Sequence, residues 1–532
     1  MNTRRLLLAA CASLVLSTGV AQSHEEDAGK GKLGQVAFPN SCDAKVQAQF
    51  ERGVAMLHSF WYSEAEKTFR EVLAHDPSCA IATWGVASIL MSNPLAGQGA
   101  TAKGAEQSQA MIDQGRKIGA KTQRERDYIE AVAAYYADWA NRSERVRQQA
   151  RSKAYEELAA RYPDDDEAQI FSALYLAGTQ TQSDQTYTAY LKAAAILEPQ
   201  FAKHPDHPGV AHYLIHSYDA PPIAQQGLTA ARRYAGIAPA APHALHMPSH
   251  IFTRVGAWEE SAATNERSAE TAKKGNEPDE AYHASDYMVY AYLQLARDAD
   301  ARRVLEEVRK VTEFNPGIRV APYAIAAMPA RYALERGAWR EAMQLQPKAS
   351  RFAFADALTY FARALGAARS GDTAAAEKDA AELARLHKAL LDAKDTYWAG
   401  EVEIQRLAIT GWIALGQRKT DEALKFMRVA ADQEDRNEKS IVTPGRVVPA
   451  RELLAEMLLE LKQPALALKE FEASQLREPN RFRGFYGAAR AAEAVGDRLK
   501  AAEYFGKLAA LSKNGDGTRP ELARAKAYVA QR

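Results

Sequence analysis

The sequence predicts an all-α protein built from repeated helix pairs. After residue 40 there is almost no period-two alternation, and Ala, Leu, Glu, Arg and Lys recur at helical spacing. Short landmarks also repeat. Ala65, Phe69 and Pro77 have the same spacing as Ala467, Phe471 and Pro479, and Ala501 with Phe505 repeats the first interval. Gly256-Ala257-Trp258 and Gly337-Ala338-Trp339 mark one kind of inter-helix turn, and Gly371 follows Gly337 by 34 residues.

The chain begins with an address. In residues 1–21, Arg4 and Arg5 precede an apolar stretch from Leu6 to about Leu16, and Gly19 and Ala21 fit a small-x-small cleavage rule. Cleavage after Ala21 is the expectation, which makes the mature protein periplasmic or secreted. A lipid anchor at Cys11 and a twin-arginine signal at Thr3-Arg4-Arg5 are lesser readings. Residues 22–40 read as a flexible mature N-terminus. Beyond the signal, no apolar run reaches the ~18–20 residues of a membrane span. The 68 basic and 67 acidic residues leave a formal charge of +1 over 532 residues, which argues against a nucleic-acid binder. With Cys11 removed, Cys42 and Cys79 remain as an even pair in an oxidising compartment. A disulfide between them is favoured over two separate thiols.

From residue 41 onward the landmarks resemble the tetratricopeptide repeat family, whose unit is two helices in 34 residues. Alignment on the landmarks starts repeats near residues 46, 208, 242, 282, 323, 357, 448 and 482, whereas 80–207 and 390–447 are helical but fit the template poorly. The resemblance implies a right-handed superhelical solenoid whose helix pairs bury their apolar stripes against neighbours. Two stretches are distinguished: 41–390, carrying a histidine-rich strip, and 391–532, C-terminal repeats. Segments such as AHYLIHSYDAP and ALHMPSHIFTRVGAW look like an exported bacterial subgroup of these proteins.

Histidine placement points to function. Seven of the 12 histidines lie between His204 and His250. Among them, His212 and His216, and His246 and His250, are spaced by four, so each pair shares a helix face. The pairs are 34 residues apart, which makes all four rings neighbours in adjacent repeats. The family resemblance further implies that the second, fifth, ninth, twelfth and thirteenth positions of each first helix line a concave groove. His212, His216, Asp219, His243, His246, His250, His283, Asp286 and Tyr290 fall at such positions. Neutral imidazole suits zinc, copper, iron or nickel. The candidate ligands are therefore His212, His216, His246 and His250, helped by His243, His283, Asp219 and Asp286, around one or two transition-metal ions (zinc, copper or iron). Pro248, between His246 and His250, is tolerated only in a first turn, which places the helix start at 245–247 and puts His246 at a frayed end. His204 and His207 read as loop residues, and His24, His75 and His387 as surface residues.

Three functions fit this pattern. The first is an exported binding or scaffold protein holding a transition metal, with a peptide, protein or small molecule as further ligand of the groove. A hydrolytic or oxidative metalloenzyme using the same cluster is the second, and a metal-free protein–protein interaction module the third. No phosphate-binding glycine loop, HExxH or nucleophile elbow is present. Thr443-Pro444-Gly445-Arg446 with Pro449 interrupts the array after a charged stretch. It reads first as an inter-repeat linker and second as a loop over the groove.

Overall fold

The computed structural model describes residues 31–310, 314–315 and 317–531. The expected signal segment, with Cys11 and residues 22–30, lies outside the described residues. Those described form an all-α protein of 26 α-helices with no strand among them, in which helices adjacent in sequence pack against one another. Helices begin at Gln47, Pro208, Pro242, Pro278, Val320, Ala353, Ala450 and Phe482, each within a few residues of a repeat start read from the landmarks. The Gly256 turn works as expected. The Pro248–Val255 helix ends in Gly256 at φ +71°, where a side chain would be strained, and the next helix opens at Trp258.

Residues 31–40, expected to be flexible, are pinned to the helices. Phe38 is fully buried, with its ring centroid 5.3 Å from Phe50, 5.3 Å from Trp84 and 5.0 Å from Tyr128. Backbone bonds from Gln35 N to the Asp206 carbonyl (3.0 Å) and from Ala240 N to the Lys32 carbonyl (3.2 Å) hold the rest. A buried phenylalanine in an aromatic nest removes enough apolar surface from water to fix a segment with no helix of its own. Cys42 and Cys79 form a disulfide across 37 positions, tying the approach to the first helix pair to the start of the next.

Remote parts of the array also meet, so repeats do not touch sequence neighbours alone. Trp258 Nε1 donates to the Asn480 carbonyl (2.7 Å), Phe482 N to Gln294 Oε1 (2.9 Å), and Arg519 pairs with Asp298 (2.6 Å). More unusual is the helix-free stretch 436–449, whose residues 438–445 are all buried. Buried backbone needs partners, and distant side chains supply them. Tyr287 OH donates to the Thr443 carbonyl (3.1 Å), Arg331 donates to the carbonyls of Arg446 (2.6 Å) and Gly445 (3.3 Å), and Tyr397 OH donates to that of Glu438 (3.2 Å). The reading of this stretch as a plain linker is thereby corrected. It is a buried insertion packed onto the histidine-bearing helices.

Candidate metal centre

Three successive repeats carry the site, on the Pro208–Ser217 helix, the Pro242–His246 and Pro248–Val255 pair, and the Pro278–Gln294 helix. Each starts with proline in its first turn, where the missing N–H costs nothing and φ is already helical. The geometry around Pro248 differs from the sequence expectation. Pro242, not Pro248, opens this helical stretch, and Met247 keeps helical angles (φ −52°, ψ −36°) between the two pieces. The i, i+4 relation therefore survives, and His246 Nε2 lies 3.1 Å from His250 Nε2.

Six of the eight candidate ligands converge as two triads, His212–His216–His243 and His246–His250–His283. Within each triad a ligand atom from every ring lies within 4.8 Å of the others. All six residues are at most 6% exposed, so bulk water does not solvate their lone pairs. The triads are adjacent. Ring centroids are 5.5 Å apart between His216 and His250, and 5.9 Å between His243 and His246.

Neighbours fix how the rings present themselves. His212 Nδ1 donates to the His58 carbonyl (2.7 Å), and His250 Nδ1 donates to Asp219 (2.8 Å). His246 Nδ1 donates to Asn265 Oδ1 (2.7 Å), an orientation set by the Asn265 amide donating to the Ser261 carbonyl (2.7 Å). His243 Nδ1 meets Glu280 at 3.1 Å. With the proton on Nδ1, each Nε2 is a lone pair, the form in which imidazole binds metal. His212 Nε2, His243 Nε2 and both nitrogens of His216 are buried without any hydrogen-bond partner. The 3.1 Å approach of His246 Nε2 to His250 Nε2 sets two lone pairs facing each other. A proton or a cation would reconcile them. Protonation is disfavoured because burial, reinforced by neighbouring imidazoles, holds His212, His216, His246 and His283 well below the usual range. Burial likewise pushes His250 down to about 4 despite its bond to Asp219.

The two carboxylates have different places. Burial pushes Asp219 up, but Lys439, Arg254 and the His250 bond outweigh it and hold the carboxyl well below its ordinary value. Asp219 accepts from His250 Nδ1, from Arg254 Nε (2.8 Å) and from Lys439 Nζ (3.3 Å), so it orients a ring from behind. Asp286 belongs to neither triad. It lies 3.8 Å from Arg331, neither of its oxygens has a hydrogen-bond partner, and burial raises it to about 6. Its carboxylate and its fellow helix residue His283 therefore serve different surroundings.

Several contributors are not legible in the sequence pattern. Tyr287, one turn after His283, places its OH 3.3 Å from His250 Nε2, and burial keeps the phenol protonated. Asn265, Glu280, Arg254 and the His58 carbonyl carry no periodic signal, and Lys439 arrives from the buried insertion. His207, read as a loop residue, caps the Pro208–Ser217 helix and is buried. It shares Glu167 with His58, at 2.9 and 2.8 Å, while His58 Nδ1 meets Tyr213 OH at 2.8 Å. Every ring nitrogen in that second cluster is hydrogen bonded, so its role is to hold the His58 backbone that sets His212. Cys42 and Cys79 also lie beside Asp76, but their sulfurs are consumed in the disulfide. No protein-family model and no curated protein sequence matches the chain.

Proposed function

We propose that this chain is an exported binding or scaffold protein, a right-handed tetratricopeptide-type solenoid that holds a transition metal. The metal would sit on His212, His216, His243, His246, His250 and His283, with Asp219 as the carboxylate that orients His250. One observation carries the reading: six buried imidazoles converge as two triads, with Nε2 of His212, His216 and His243 lacking any hydrogen-bond partner and His246 Nε2 set against His250 Nε2. A metal ion satisfies such a set, whereas water or a bound peptide would have to reach rings that are almost wholly covered. The insertion 436–449 occupies the space beside these repeats, which disfavours an extended peptide as the ligand there. Deep burial likewise favours holding a metal over hydrolysing a large substrate.

Elemental analysis of tag-free protein, purified without added metal, tests this reading. The comparison is a variant with His212, His216, His246 and His250 changed to alanine. Near-stoichiometric metal in the parent, absent from a folded variant, is the expected result. No metal after equilibration with both zinc and copper would overturn it. For export, the mature protein recovered from the periplasm is expected to begin at Gln22, read by intact mass.

A further inference from the structure

The charge of the site narrows what it holds. Neither triad contains a carboxylate or a thiolate, so all six donors are imidazole nitrogens, which bring no negative charge to a metal. The charged groups around them balance one another. Asp219 is met by Arg254 and Lys439, Asp286 faces Arg331, Glu438 is met by Arg254 and Arg477, and Glu280 approaches His243. Two divalent ions would bring four positive charges into a buried region with no anionic ligand, a heavy desolvation cost with nothing to offset it. Zinc, iron and manganese pairs meet this cost with carboxylates or bridging anions, which these triads do not supply. Imidazole nitrogen also suits copper, and among divalent ions Cu(II) tops the affinity order for such sites. As Cu(I) it carries a single charge and is content with three ligands. The three nitrogens of a triad lie within 4.8 Å of one another, and an inward shift of about 1 Å brings them to the ~3.5 Å separation of three nitrogens around one ion with bonds of about 2.0 Å.

Resting on the metal-binding reading above, we infer that the six histidines form a paired copper centre, one Cu(I) per triad, that binds dioxygen between the two ions. The balance closes without any other reactant. Each Cu(I) gives one electron to O2, the O–O bond falls from double to single, and no proton is taken up. The product is two Cu(II) bridged by peroxide. The two added positive charges on copper equal the two negative charges on peroxide, so the net charge of the buried site does not change. Size agrees with this assignment. The rings are closed over by Tyr287 and by the insertion carrying Lys439 and Thr443, and all six histidines are at most 6% exposed. A diatomic molecule fits such a closed site and an organic substrate does not.

The test loads the mature, metal-free protein with Cu(I) under anaerobic conditions, removes excess copper, and then admits O2 while copper content, O2 uptake and the electron-spin signal are recorded. The expected result is two coppers per chain and one O2 taken up per two coppers. An intense near-ultraviolet charge-transfer band should appear without an electron-spin signal, because the two Cu(II) spins couple through the bridge. One copper per chain would overturn the pair while leaving metal binding intact; no copper would overturn the copper assignment, and only a failure to hold zinc as well would overturn the metal-binding reading. Two coppers that take up no O2, or that show isolated Cu(II) signals, would overturn the dioxygen assignment. H283A and H212A, checked for native helicity by circular dichroism, are each expected to bind one copper and no O2. Should either fail to fold, the parent's copper and O2 ratios decide the matter alone.

Discussion

Asp219→Asn is the most informative single change. The carboxylate is buried and accepts from His250, Arg254 and Lys439 at 2.8, 2.8 and 3.3 Å. Breaking a buried ion pair from one side costs about 3–5 kcal/mol, because the remaining charge is left uncompensated. Two features lower that figure here. An asparagine with its carbonyl in the Oδ1 place still accepts from Arg254, worth about 1 kcal/mol, and turns its amide toward His250 and Lys439. Lys439, already lowered to about 8 by burial against the support of Asp219, can also shed its proton near neutral pH, which limits the penalty on that side to about 1–2 kcal/mol. The expected loss is therefore about 2–4 kcal/mol in urea unfolding of the metal-free protein. His250 also loses the acceptor that keeps its proton on Nδ1, so copper affinity, measured against a competing chelator, should fall about 10–100-fold. Asp286→Asn is the control. Its carboxylate bonds no ring nitrogen and is half neutral near pH 6, so copper affinity should change by less than about threefold. If Asp219→Asn unfolds within about 1 kcal/mol of the parent with unchanged copper affinity, the orienting role is refuted.

The metal-free protein should weaken in mild acid. Burial lowers His250 from 6.5 to about 4, so between those values the unfolded chain binds the proton that the folded one refuses. Stability is then full above pH 6.5 and falls as pH drops toward 4, by about 3 kcal/mol from His250 alone. The other lowered imidazoles act in the same direction, and urea midpoints across that window read the slope. Reducing the Cys42–Cys79 bridge, which spans 37 positions, should cost about 4 kcal/mol on the chain-entropy account and lower the melting temperature in a reductant series. Gly445→Ala places a Cβ 3.0 Å from Tyr290 Cε1 in the buried insertion. It should destabilise by about 1–3 kcal/mol and raise hydrogen exchange in 438–445, whereas unchanged exchange there would show that the insertion tolerates the crowding.

Periodic features were legible without coordinates because they need only local rules. Helical spacing fixes which residues share a face, and a 34-residue period sets equivalent faces side by side. His212, His216, His246 and His250 could therefore be grouped, His243 and His283 added, and eight repeat starts placed within a few residues of a helix start. The disulfide was favoured from an even pair of cysteines behind an expected export signal. The tertiary structure decided what periodicity does not encode. Asp219 and Asp286 share the same repeat faces, but one accepts from His250 while the other faces Arg331, because carboxylate roles depend on which cations pack nearby. Lys439 and Thr443 reach the centre across more than 150 positions on a helix-free insertion, and no helical spacing predicts where such a segment folds back. Likewise, Phe38 pins a stretch that composition alone reads as flexible. Local spacing thus determined which rings meet, and long-range packing determined their tautomers, their burial and the near-neutral charge of the space they enclose.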